Sequence, residues 1–210
     1  MRSISPNLFS LQKFYRTAII RIGMNDIKRS YVIQWVGPFK SDNDVAKYVK
    51  RGDNNEVCHS SCFTFYYLTG INKIGRPKIH RYFGVHHKLD GIRNRLNLRH
   101  SILSTLKEDS SLEIWIGCFG DLRWHSNTKV EEVETFFIRY YRDLLTDNDK
   151  KKKTRLVKLP SISVVNLWYD KNENPWIRKP RSACFIQDVM VWENDYERLL
   201  TAAKLSEREE

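Results

Sequence analysis

Charged side chains at core-facing positions are the residues of this chain best placed to do chemistry. With residues 90–107 on a helix at about 100° per residue, Ile92, Leu96, Leu98, Ile102, Leu103 and Leu106 gather into one apolar arc, and Arg95 and Arg99 fall inside it. Arg93, Asn97 and His100 lie on the neighbouring polar side. A second helical pattern over residues 129–146 aligns Val130, Val133, Phe137, Tyr141 and Leu144, with Glu134 in the middle of the stripe and Glu131 and Glu132 pointing elsewhere. An unpartnered buried carboxylate costs several kcal/mol, so Glu134 needs a partner. Either it forms a structural ion pair with Arg95 or Arg99, or these charges belong to a site.

Two tyrosines bear on that choice. Tyr66 and Tyr82 sit on the two strands of an expected hairpin and would join the inward arginine and glutamate on one patch. Two phenols, a guanidinium and a carboxylate are the parts needed for metal-assisted phosphodiester hydrolysis. The carboxylate holds a hard divalent cation, the arginine steadies charge on the transferring phosphoryl group, and a tyrosine orients or deprotonates the attacking water.

At these residues the chain resembles the GIY-YIG nuclease family over roughly residues 62–169. Thr64-Phe65-Tyr66 stands at the first motif and Tyr82-Phe83-Gly84 at the second, with Glu134 heading the aromatic segment Thr135-Phe136-Phe137-Ile138 and Asn166 in VVNLWYD. The resemblance implies a restriction- or homing-type endonuclease using Mg²⁺ or Mn²⁺ and cutting double-stranded DNA, as a homodimer where both strands are cut. It implies Tyr66 as the water-directed base, Tyr82 as its hydrogen-bonding partner, Arg95 as phosphate clamp, Glu134 as metal ligand and Asn166 as structural support. Tyr67 is the alternative to Tyr66, and Arg93 to Arg95. Where relatives carry a histidine one turn after the arginine, this chain has Arg99 with His100 beside it. A catalytically silent nucleic-acid-binding module and an RNA nuclease stay open as other readings.

The elements that must position these residues follow from punctuation and periodicity. SYVIQWVGPF reads as a strand ending at Gly37-Pro38, and SDNDVAKYVKR as a short helix, acidic at its start and basic at its end. CFTFYYLTG and KIHRYFGV read as a hairpin, LEIWIGCF as a strand between the two helices, and SISVVNLWY as a last strand. The expected class is α/β or α+β: a small antiparallel or mixed sheet flanked by helices, with a GIY-YIG-like core over 58–170. Residues 1–57 and 171–210 read as extensions that contact DNA or dimerise.

Charge points the same way. The chain of 210 residues carries +11, and residues 72–107 alone hold nine basic side chains against the single acid Asp90. Lys73, Arg76, Lys78, Arg81, His86, His87 and Lys88 are the expected phosphate-contacting residues around the hairpin turn. Of the six tryptophans, Trp35, Trp115, Trp124, Trp168, Trp176 and Trp192, core packing accounts for most, with base stacking the alternative. Cys58, His59 and Cys62 lie close together, but a zinc site needs a second ligand pair, which only the scattered His80, His86, His87 and Cys118 could supply. Four cysteines without an apolar signal core suggest reduced thiols in a cytoplasmic setting, and Arg21 interrupts the best apolar run, so no membrane span is expected. There is no phosphate-cradling glycine loop.

Overall fold

In the computed structural model the described residues are 29–50, 64–72, 77–86, 103, 111–120, 126–148, 159–196 and 198–201. They form a mixed α+β architecture. Strands β1 (Arg29–Phe39), β2 (Phe65–Asn72), β3 (Lys78–Val85), β4 (Glu113–Phe119), β5 (Ile162–Tyr169), β6 (Val189–Glu193) and β7 (Arg198–Thr201) build one seven-stranded sheet in the order β3-β2-β4-β1-β5-β6-β7. Neighbours are antiparallel except β1 and β5, which run parallel.

Helix α1 (Asp42–Lys50) begins where the Ser41 hydroxyl accepts the Asp44 N–H at 3.1 Å, with Asp42 and Asp44 in the first turn and Lys47 and Lys50 in the last, as the helix dipole favours. Helix α2 (Asn127–Tyr140) begins at Ser126, whose hydroxyl accepts the Lys129 N–H. Its inward residues are Val130, Val133, Phe136, Phe137 and Ile138. The helix expected to reach residue 146 ends at Tyr140, so Tyr141 is still buried but Leu144, expected on the inward stripe, is exposed.

Strand alternation divides the core between the two faces of the sheet. Ile33, Trp35, Phe65, Tyr67, Phe83 and Trp115 pack with α2 on one face. Val36, Phe39, Tyr66, Leu68, Ile114 and Ile116 pack with Val45 and Tyr48 of α1 on the other. Each fully buried aromatic or aliphatic side chain contributes about 1.5–3 kcal/mol, which explains why both faces carry helices.

The expected division at residues 58 and 170 does not interrupt this sheet. β1, placed by sequence in an N-terminal extension, lies between β4 and β5, and β6 and β7 of the expected C-terminal extension continue the sheet beyond β5. Local pattern identifies a strand but not its neighbours, and β1 pairs with segments about 80 and 130 residues away, such as Trp35 with Gly117 and with Trp168.

Edge strand β3 is closed by the turn after α2. The Arg81 N–H donates to Thr146 Oγ1 at 2.9 Å and to Asp147 Oδ2 at 3.0 Å, while the Asn148 amide accepts the Phe83 N–H at 2.8 Å and donates to the Phe83 carbonyl at 2.5 Å. Asn148 thus pairs like a strand residue and satisfies backbone groups that an open edge would expose. Cys118 is buried and disulfide-bonded, against the expectation of reduced thiols throughout, whereas Cys184 is free and exposed. Cys58, His59 and Cys62 lie outside the described residues. No helix among the described residues is long and apolar enough to cross a membrane.

Candidate functional site

Tyr66 and Tyr82 do meet, as their motifs suggest. Their rings lie 5.8 Å apart on the α1 face, and Gly84 opposite Tyr66 leaves the space they use, since a Cβ there would lie 2.5 Å from the Tyr66 hydroxyl oxygen. Leu103, helical as expected, is buried in the same cluster as Tyr66. Arg93, Arg95, Arg99 and His100 lie outside the described residues, as do Lys73, Arg76, His87 and Lys88.

Glu134 is not brought to that patch. It belongs to α2, which covers the opposite face, and it lies one turn before Phe137, whose ring stacks on Phe83 at 4.5 Å. The expected union of Tyr66, Tyr82 and Glu134 is therefore corrected: the sheet stands between them. Asn166 is buried, its Oδ1 accepting the Trp35 indole N–H at 2.9 Å and its Nδ2 donating to the Gln187 carbonyl at 2.7 Å. Its polar groups are engaged within the core. Lys78 is exposed, while Arg81 and His86 are partly buried.

A different set of polar residues converges on the α2 face. Tyr67 pairs directly with Phe83 on one side and Trp115 on the other, and Thr69 pairs with Arg81 and Glu113. Directly paired residues share a face with Cβ atoms about 5 Å apart, so these six side chains form a block of two rows, Trp115–Tyr67–Phe83 and Glu113–Thr69–Arg81. Four of them carry a buried polar atom with no hydrogen-bond partner: Tyr67 Oη, Trp115 Nε1, Arg81 Nε and Glu113 Oε2. Leaving one such atom unpaired costs about 1–3 kcal/mol. Four of them in one block call for a physical explanation.

Neighbouring elements hold the block in place. β1 shifts register between Val36 and Phe39, and Gly37 at that bulge has φ 153°, where a Cβ would lie 2.9 Å from the Ile114 carbonyl oxygen. The bulge redirects the end of β1 so that Lys40 Nζ reaches Glu113 Oε1 at 2.7 Å. Phe185 packs over the block, 5.1 Å from the Tyr67 ring and 4.9 Å from the Arg81 guanidinium carbon. Burial pushes the Tyr67 phenol well above its ordinary pKa, reinforced by Glu113 and opposed by nearby Thr69 and Arg81, although no partner completes a hydrogen bond to its oxygen. Tyr67 is therefore a neutral donor at physiological pH.

The block combines an anion-binding guanidinium, a phenolic donor and a carboxylate with one unpaired oxygen. Tyr67 was the alternative reading for the first motif and Arg81 a phosphate-contacting residue, but Lys40, Thr69, Glu113 and Trp115 were missed. Alternation places Tyr67 with Thr69, Arg81 with Phe83 and Glu113 with Trp115, but only the pairing register joins the three pairs. No family model, curated protein or solved structure matches the chain.

Proposed function

We propose that this protein is a divalent-metal-dependent nuclease acting on nucleic-acid phosphodiesters at the block of Tyr67, Arg81 and Glu113. The observation that carries the reading is the convergence of unpaired buried polar atoms from a tyrosine, an arginine and a glutamate on one sheet face. The formal charge of +11 supports a polyanionic substrate, and the resemblance to GIY-YIG nucleases supports the reaction class. The site departs from that family's expected constellation, with Glu113 in the place proposed for Glu134 and Tyr67 in that of Tyr66.

Arg81 and the protonated Tyr67 would donate to the non-bridging phosphate oxygens, where negative charge grows as the P–O bond breaks. Glu113 Oε2, buried and unpaired, suits a hard cation, and it faces the same row as Arg81. Among the described residues no cluster of three or more His, Cys, Asp or Glu side chains could hold a metal. A magnesium site built from one carboxylate, water and the substrate's own phosphate does not need one. When bound, the cation would acidify the attacking water and polarise the phosphoryl oxygen.

The Lys40–Glu113 ion pair favours a second reading, in which the block binds nucleic acid without cutting it. Incubation of supercoiled plasmid, a single-stranded circle and a matching RNA with the protein and Mg²⁺ separates the two. The nuclease reading expects cleavage of at least one substrate, abolished by EDTA and reduced about 100-fold or more by Glu113→Gln. No cleavage of any substrate, or undiminished cleavage by the variant, would sink it.

A further inference from the structure

The row beyond Glu113–Thr69–Arg81 on the same face is Ile71 paired with Ile79, and both are well exposed, at 39% and 45%. Strand geometry places this pair about 7 Å from the Thr69 row. Trp176 and Ile177, 37% and 99% exposed, stand at the same end of the sheet, because the Trp176 indole N–H donates to the Gly37 carbonyl at 3.1 Å, at the bulge that delivers Lys40 to Glu113. Leu144, also exposed, lies two residues before Thr146, whose hydroxyl donates to the Ile79 carbonyl at 3.3 Å. The exposed large apolar side chains of the described residues thus all gather at the end of the sheet that carries Glu113 and Arg81. Exposed cations adjoin two of them in the chain, Lys78 beside Ile79 and Arg178 after Ile177.

Scattered apolar side chains on a surface need no explanation, but a gathered set beside unpaired polar atoms does. An aliphatic or indole face gains nothing from contact with a phosphate, and a regular duplex turns its phosphates outward and keeps its base faces stacked. A strand with unpaired bases offers both surfaces together: phosphates for the cations and base faces for the apolar side chains. Building on the proposed nuclease reading, we infer that this rim is a base-stacking platform and that the site takes an unpaired strand, single-stranded or locally opened, in preference to intact duplex. Ile71 and Ile79 contact the base beside the phosphate held by Arg81, and the Trp176–Ile177 segment contacts the strand on the opposite side of the row.

The test is fluorescence anisotropy in EDTA with a labelled oligothymidylate of about 20 nucleotides and the corresponding oligo(dA)·oligo(dT) duplex, at about 0.15 M salt and at low salt. The native protein is expected to bind the single strand about tenfold or more tightly than the duplex at the higher salt. Ile71→Thr, Ile79→Thr and Ile177→Ser combined should weaken single-strand binding about tenfold, leave duplex binding at low salt unchanged and keep the native thermal midpoint, since all three side chains are exposed. Equal affinity for strand and duplex, or undiminished strand binding by the triple variant, would overturn the platform while leaving the phosphodiester site standing. Absence of binding to either oligonucleotide at low salt would overturn the nucleic-acid reading and the platform with it. So would preferential partition onto vesicles of anionic phospholipid with no oligonucleotide competition.

Discussion

Tyr66 and Tyr67 are adjacent in sequence and face opposite sides of the sheet, so one position decides which chemistry surrounds a phenol. Tyr66 packs on Tyr82 above Gly84, whereas Tyr67 has Arg81 and Glu113 for diagonal neighbours and a hydroxyl without a hydrogen-bond partner. That difference is why the proposed site takes Tyr67 and not Tyr66. Removing a hydroxyl that makes no hydrogen bond relieves a desolvation cost of about 1–3 kcal/mol, so Tyr67→Phe should unfold at the same or higher denaturant concentration than the native protein. The same substitution removes a donor to the developing phosphate charge and should lower kcat about 100-fold in the plasmid assay. Loss of stability together with loss of activity would instead make Tyr67 a packing residue. Glu134 was singled out because helical phase is a local property, and it is partly buried on α2. Glu113 was not, since its significance comes from Thr69 and Arg81, which only the strand register places in the same row.

At the scale of elements, hydrophobic alternation and glycine punctuation were sufficient to find both strands of the hairpin, β4 and β5. The bounds of β3 and the short α1 follow the same signals, because caps and turns are written in neighbouring residues, whereas β2 runs two residues beyond the expected stop at Gly70. The closure of the hairpin's outer edge was not readable in that way. Thr146, Asp147 and Asn148 follow the last turn of α2 as an ordinary polar turn, yet they bond to β3 more than 60 residues earlier, with His80 Nδ1 3.1 Å from Asp147 Oδ1 as a further tie. The Phe83 N–H and carbonyl both depend on the Asn148 side chain. Asn148→Ala should cost about 2–3 kcal/mol by leaving buried backbone groups unpaired, read as a lowered midpoint in urea. Faster hydrogen exchange confined to β3 should accompany it. A native midpoint and native exchange would show that the edge is held by Thr146 and Asp147 alone.

Over the whole molecule, the seven-stranded sheet joins the first and last described strands, β1 and β7, in one framework and gives its two faces different contents. One face carries the Tyr66–Tyr82 pair, in the cluster that also includes Val45 and Tyr48 of α1, and the other carries α2 together with the row of Glu113, Thr69 and Arg81. The apolar rim described above stands at the end of the sheet that carries that row. Glu134 on α2 and Glu113 on β4 thus belong to the same side of the sheet, and they are the carboxylates that the sequence reading and the proposed site respectively assign to the metal. Parallel Glu113→Gln and Glu134→Gln variants, assayed for Mg²⁺-dependent cleavage after matching their thermal midpoints to the native protein, test the location of the site most directly. Loss of about 100-fold or more in Glu113→Gln, with Glu134→Gln within about threefold of native, is the predicted result. Native-like cleavage by Glu113→Gln alongside an inactive Glu134→Gln would contradict it.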